Sequence, residues 1–381
     1  MISSKRLPLI IGNSGDNREL RVLLGFLSSC AENAPEFYNS TLDDLISDDL
    51  LGDSFPFLQT TSPIDKRGVE RLLEALRIGK AKIHTFQSLA WGGVHKSISD
   101  DDLAIILNEI LSIEGGLDVA LDVLRMRIHG AGDDYSKYPT GLVELARRLL
   151  SLYLFSDKHR MRNNQDYSLT RIARMCINGQ DGIDAAIELS QHLAEAIIEN
   201  RTYVFDYPDL FSFIASTHPL MFLDVFLGNK GIKDYQRRRM FEDERRSNPL
   251  NQISVDDLIS WCEKDPEDRY PLIASAIQAF SESAETKELE WRPVVYSIFE
   301  KAPDLGLIFE RLADALRPTA WSGSRADILQ KRSALFQMLY EHENEQIRAW
   351  AKAQYSSLQE AIKEEREWEE SRNRGRNESF E

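Results

Sequence analysis

Apolar residues recur along this chain at three- and four-residue intervals, in segments separated by prolines, glycines and capping residues. The stretch Ser62–His129 shows the pattern best. Ser62-Pro63 reads as a helix start, a hydroxyl cap followed by a residue whose missing N–H costs nothing in the first turn. Val69, Leu72, Leu73 and Leu76 then follow at helical spacing. Ser99 caps a second helix, with Asp100, Asp101 and Asp102 where a helix N-terminus favours negative charge. Its apolar positions are Leu103, Ile106, Leu107, Ile110 and Leu111, one continuous stripe. Gly115-Gly116 ends it, and Leu117–Ile128 follows. That third helix carries Leu117, Ala120, Leu121, Leu124 and Ile128 on one side, with Val119 and Val123 on another. A helix that is apolar on two sides needs neighbours on two sides.

The same reading predicts helices over Asn17–Ala31 and Pro35–Leu51, a break at Phe55-Pro56-Phe57, and one or two helical turns in Lys82–Trp91. Thr140 is expected to cap a helix with Leu142, Leu145, Ala146, Leu149, Leu150 and Tyr153 inward. Leu169–Ile177 and Ile183–Glu199 form the next pair, and Pro208 and Pro219 each open a short apolar helix. Composition shifts at Gly228, and Gly231–Ser247 is charged and poor in aliphatics, an exposed helix or a linker. Beyond it, helices are predicted from Ser254, near Pro271, from Pro293 and Pro303, over Ser324–Tyr340, and from about Asn344. From Lys363 onward charge dominates, so the last helix is expected to leave the body and fray. About seventeen segments read as helix and none as a convincing strand. The expected fold is all-α, an α-solenoid of irregular HEAT/TPR-like helical hairpins, with ordinary globular packing of the same helices as the alternative. The expected divisions are a helical-repeat segment over 1–230, a second over 231–372, and a charged disordered tail over 373–381.

With 381 residues, 42% of them hydrophobic and 28% charged, the chain can bury a substantial core and is not of disordered or membrane type. No apolar run approaches the roughly 20 residues of a membrane span. The apolar patch Leu7–Ile11 is short for a signal peptide and holds a proline, so the expected compartment is the cytoplasm. Cys30, Cys176 and Cys262 lie far apart, each on an apolar helical stripe, and read as small buried hydrophobes rather than a redox or zinc set. A net charge of −16 opposes general attraction to phosphate, so the default partner is a protein, with nucleic acid and membrane disfavoured.

Residue patterns that carry chemistry are sparse. Gly12–Gly15 is followed by aspartate, whereas a phosphate-binding loop needs a lysine after its second glycine. The seven histidines show no HExxH or HxH; His192 sits within an amphipathic helix and His129 at a helix end, both structural readings. Gly323-Ser324 lacks the motif and the strand of a nucleophile elbow. Asp133-Asp134 lies in a loop without the alternating oxygens of a calcium loop. No catalytic, cofactor-binding or metal-binding residue is assigned, no cofactor and no small-molecule substrate is expected, and the chain reads as a non-enzyme. Two features suit an interaction surface. Arg237, Arg238, Arg239, Arg245 and Arg246 form a basic cluster, with Glu242, Asp243 and Glu244 interleaved as in a self-neutralised solvated helix. Trp91 and Trp321, each beside or near glycine, are the tryptophans most suited to presentation on a loop.

Ser62–Leu76, Phe86–Gly93, Ser99–Leu107 and Gly115–His129 together resemble the helical-repeat region of large bacterial defence ATPases of the STAND or NACHT-like class. Trp321–Arg366 resembles the closing HEAT-like repeat of such chains, charged tail included. In that class the repeats sense an invader's protein, often from a phage, a central ATPase oligomerises, and an N-terminal effector acts. The chain departs from the class in showing neither a Walker motif nor an effector. The resemblance therefore implies the sensing part alone, as a fragment, a separate gene product or one subunit. The expected function is a protein-binding sensor or scaffold of antiphage defence, recognising a phage protein or a companion ATPase or effector. The alternative is a nucleic-acid module of the base-excision type, which needs a basic concave face with a central aromatic residue and a carboxylate.

Overall fold

A computed structural model describes residues 20–129, 137–156, 165–241, 248–318 and 321–378, the side chains at 314–315 and 373–378 excepted. Helices make up nearly all of its regular structure, so the chain is all-α. It divides into two compact units, one ending at His192 and the other beginning at Leu193. Among the described residues, no helix is long and apolar enough to cross a membrane.

The first unit contains α1 (Arg21–Asn33), α2 (Pro35–Leu45), α3 (Phe55–Gln59), α4 (Lys66–Ile78), a 3-10 stretch (Ile83–Ala90), α5 (Asp100–Leu111), α6 (Gly116–Ile128), α7 (Thr140–Ser151) and α8 (Gln165–Cys176). A further helix, α9, spans Ile183–Ile198. Phe55-Pro56 opens α3 instead of breaking the chain, because proline is tolerated in a helix's first turn. The start of α4 also differs from expectation. Asp65, not Ser62, is its cap and accepts from the Gly68 amide at 2.8 Å. Ser62 is taken by the Tyr38 hydroxyl at 2.9 Å instead. Ile64 and Val69, both buried, flank the cap in the positions of a hydrophobic staple, which fixes the chain's angle of entry. Ser99 caps α5 as expected, accepting from the Asp102 amide at 3.1 Å.

The two-sided helix α6 has its neighbours. It packs on the 3-10 stretch and also on α5, α7 and α8, burying Val119, Ala120, Leu121, Val123, Leu124 and Ile128. Gly115, at φ +78°, makes the turn into it, a conformation that glycine adopts without strain. Arg127 fastens the helix end, reaching Asp100 Oδ1 and the His95 carbonyl at 2.7 Å each. His192 binds the Tyr153 carbonyl at 3.1 Å and is structural, as its setting predicts.

The second unit contains α10 (Pro208–Thr217), α11 (Pro219–Phe222), α12 (Asp234–Phe241), α13 (Val255–Cys262), α14 (Pro266–Ala276), α15 (Pro293–Lys301), α16 (Leu305–Ala315), α17 (Arg325–Gln337) and α18 (Glu345–Glu378). Between α11 and Gly228, Leu223–Leu227 forms one π-helical turn. That turn holds Asp224 against the fully buried Trp261, whose indole N–H donates to Asp224 Oδ1 at 2.7 Å. The Arg269 guanidinium lies 4.3 Å from the Trp261 ring and 3.2 Å from the same carboxylate. Pro266, not Pro271, begins α14; Pro271 lies within it.

Between α14 and α15 the sequence shows no strand, yet Phe280–Glu282 (β1) and Leu289–Trp291 (β2) form a small antiparallel hairpin, pairing Phe280 with Trp291 and Glu282 with Leu289. Three-residue strands are too short for alternation to be seen. Trp291 anchors the hairpin. It is buried, and its indole N–H donates to the Leu335 carbonyl of α17 at 2.7 Å. Around it gather Phe336 and Trp350, and Trp350 stacks on Phe309 at 4.6 Å.

Candidate functional site

Five of the seven expected surface residues lie among the described residues. Trp91 ends the 3-10 stretch of the first unit, ahead of Gly92 and Gly93, both at positive φ. It is 56% exposed and meets the edge of Phe57 at 6.1 Å. In the second unit, Arg237 is spent within the fold. It donates to the Leu227 and Asn229 carbonyls at 3.1 and 2.8 Å and pairs with Asp234 at 2.9 Å. Arg238 and Arg239 are exposed on the same helix, α12. The Arg239 guanidinium stands 5.0 Å from the Tyr203 ring, which stacks on Phe205 at 4.9 Å. Arg245 and Arg246 lie outside the described residues, as do Gly12–Gly15 and Asp133-Asp134.

Trp321 lies beside a concavity of the second unit, against one of its lining residues, Arg325. A groove of about 300 Å³ runs between α17 and α18, lined by Arg317, Arg325, Leu329, Ser357, Leu358, Ala361, Glu364, Glu365 and Trp368. Its construction follows from the two helices. Ser324 caps α17 and accepts from the Asp327 amide at 3.1 Å. The first turn of α17 leaves further amides without helical partners, and Glu369 of α18 takes them, accepting from Arg325 N at 2.7 Å and Ala326 N at 3.4 Å. The Ser324 hydroxyl also donates to Glu369, at 2.8 Å. Desolvation pushes the Glu369 carboxyl up, but the Ser324 hydroxyl, these two amides and the Arg366 charge outweigh it and hold the group below its ordinary value.

One turn earlier, Glu365 pairs with Arg325 at 2.8 Å, and that guanidinium lies 4.9 Å from the Trp321 ring. Trp321 is therefore exposed and stacked on an arginine that lines the groove, without lining it itself. On the other side Trp368, 54% exposed, carries Arg372 over its ring at 5.3 Å. Leu329, Leu358 and Ala361 form the apolar part of the lining.

The sequence singles out Trp321 but not its neighbours. Trp368 stands in the run Lys363–Glu370, whose charge argues for a fraying end. The structure corrects that expectation: α18 continues through the run, and Glu365 and Glu369 return to α17. The signal was the spacing. Leu358, Ala361, Glu365 and Trp368 fall three or four apart, and Glu369 lies four after Glu365, one side of a helix carried past the last aliphatic residue.

Other polar features are structural or unfilled. Cys176 and Cys262 are buried, and burial pushes both thiols up, Cys262 to about 12. Cys30 is half-buried. Among the described residues, no group of three or more His, Cys, Asp or Glu side chains is placed to hold a metal ion. His95 is fully buried with both ring nitrogens unbonded; burial, then the charges of Arg127 and Lys96, lower its pKa. No protein family, curated protein or solved structure matches this chain.

Proposed function

We infer that the chain is a non-enzymatic, cytoplasmic protein-binding α-solenoid of HEAT/TPR-like hairpins, a sensor or scaffold component of a bacterial antiphage system. The expected partner is a phage protein or a companion ATPase or effector. The observation that carries the binding reading is the groove between α17 and α18, lined by the exposed Trp368 with Arg317 and Arg325, the exposed Trp321 stacking on Arg325. Tryptophan and arginine are the side chains over-represented where protein interfaces concentrate their binding energy. The solenoid reading draws support from contacts inside each unit. Helices touch their sequence neighbours and next-but-one neighbours, as α5 touches α6 and α7, and α14 touches α13, α15 and α16.

The test is affinity capture on the full chain from phage-infected and uninfected bacteria, with cross-linking to locate contacts. The expected result is a partner enriched on infection, or a constant companion subunit, cross-linked to the chain. Return of background proteins alone would reject the reading. The nucleic-acid alternative has one observation on its side, Arg239 against Tyr203 and Phe205, since aromatic and arginine stacks can hold bases. Retardation of single-stranded DNA or RNA at moderate salt, lost in Arg239→Ala, would favour it over the protein-binding reading.

A further inference from the structure

We propose that the α17–α18 groove is the docking site for a basic peptide segment of a protein partner, with an arginine or lysine of that segment laid between Trp368 and Glu364. The inference rests on the protein-binding reading above and adds the chemistry of what is bound.

Three observations carry it. The first is space: about 300 Å³ lies at the lower end of ligand-site volumes, enough for one or two long side chains but not for a folded element. The second is an arrangement that two of the lining residues, Arg325 and Glu365, already make with Trp321. Arg325 lies over the Trp321 indole and pairs with Glu365 at 2.8 Å, a guanidinium held between an aromatic face and a carboxylate. Trp368 and Glu364 supply the same two components again, four residues apart and so on one side of α18. Glu364 is exposed and makes no hydrogen bond or ion pair with a described residue. Arg372 stands over the Trp368 ring at 5.3 Å, and Trp368 also lines the groove, so the indole can take a second cation there. Leu329, Leu358 and Ala361 would cover the aliphatic stem of such a side chain while its head reaches the carboxylate.

The third is charge along the rim. Glu360 and Glu367 are exposed and lie four residues before and three after Glu364, so three carboxylates share one edge of α18. Of the two arginines of the lining, Arg325 is paired with Glu365 and Arg317 is exposed. Arg317 sets a local preference, an acidic or neutral residue of the segment beside it and the basic residues along α18. The chain's net charge of −16 draws a basic segment inward from a distance, and the groove decides where it rests.

The probe is a synthetic twelve-residue peptide of alternating arginine and leucine, titrated against the full chain by calorimetry at 150 mM salt. A serine-leucine peptide of the same length serves as the neutral control. Trp368→Ala and Glu364→Lys remove exposed side chains, so folding is retained and is checked by circular dichroism. Glu109→Lys, an exposed site in the first unit, controls for net charge. The expected result is binding of the basic peptide weakened at least tenfold by Trp368→Ala and by Glu364→Lys, unchanged by Glu109→Lys, and strengthened by Arg317→Ser. Equal weakening by Glu364→Lys and Glu109→Lys would mean diffuse attraction and overturn the site. So would binding of the neutral control as tight as that of the basic peptide, or no binding of either. A partner captured from cells and still held by the Trp368→Ala, Glu364→Lys double variant would overturn the groove while leaving the protein-binding reading standing. Single-stranded DNA displacing the basic peptide from the wild-type groove would overturn the assignment to a protein.

Discussion

At Gly116 a Cβ would lie 1.9 Å from the Ile110 carbonyl oxygen, and the obstacle is backbone rather than a side chain able to swing away. We expect Gly116→Ala to cost about 3 kcal/mol through forced displacement of the α5–α6 turn, read as a lower midpoint of urea unfolding. His95 gives a second expectation at this scale. Its folded pKa lies below the ordinary 6.5, so the unfolded chain binds the proton more readily. Its contribution is therefore complete above about pH 6.5 and is lost as pH falls through that value toward the depressed folded pKa. Melting temperatures between pH 7.5 and 5 should fall in the wild type and fall less in His95→Phe. The sequence offered nothing to find His95, because a histidine in a polar turn shows its burial only once α6 has closed over it.

The elements divide by how far local sequence decides them. Ser99, Ser254 and Ser324 each cap the helix expected of them, since a serine followed by acidic residues is a local instruction. Ser62 did not cap, because Asp65 three residues later competes for the same helix and leaves Ile64 free to bury. The β1–β2 hairpin gave no local sign, and the far half of α18 only its helical spacing, for the opposite reason: each is held by a distant element. Glu369 serves as a cap for α17 although it belongs to α18. We expect Glu369→Gln to raise amide hydrogen exchange at residues 325–327, and to do so less at pH 3.5 than at pH 7. A carboxylate held below its ordinary pKa stabilises above that range and loses its effect as acid protonates it. Ser324→Ala should cost about 1 kcal/mol, the usual worth of an N-cap, by thermal melting.

For the whole molecule, the sequence announced a helical chain and two-sided helices, and the packing around α6 answers that demand. The aromatic centre of the second unit was less visible, since Trp291, Phe309, Phe336 and Trp350 come from four separate segments. Trp350 touches three of these elements at once, so Trp350→Ala should cost about 3–5 kcal/mol. Because the chain has two compact units, denaturant unfolding of that variant should separate into two transitions where the wild type's lie closer together. Tryptophan fluorescence followed alongside circular dichroism checks this. The groove was legible only at its margin: Trp321, which packs on the lining Arg325, stood out near Gly323, whereas Trp368 was hidden in a run whose charge is what secures it to α17.

The hairpin whose tip holds Lys287, exposed at φ +62°, meets the body through the buried Trp291 indole and through Phe280 under the Arg332 guanidinium. A protease cutting after Lys287 would sever the covalent path between α14 and α15 but not the contacts that cross the cut, the β1–β2 pairing of Phe280 with Trp291 and the Arg332 guanidinium over the Phe280 ring. The nicked chain should then elute intact from a sizing column and split in two only under denaturant, so two separately expressed fragments meeting at that point ought to reassemble.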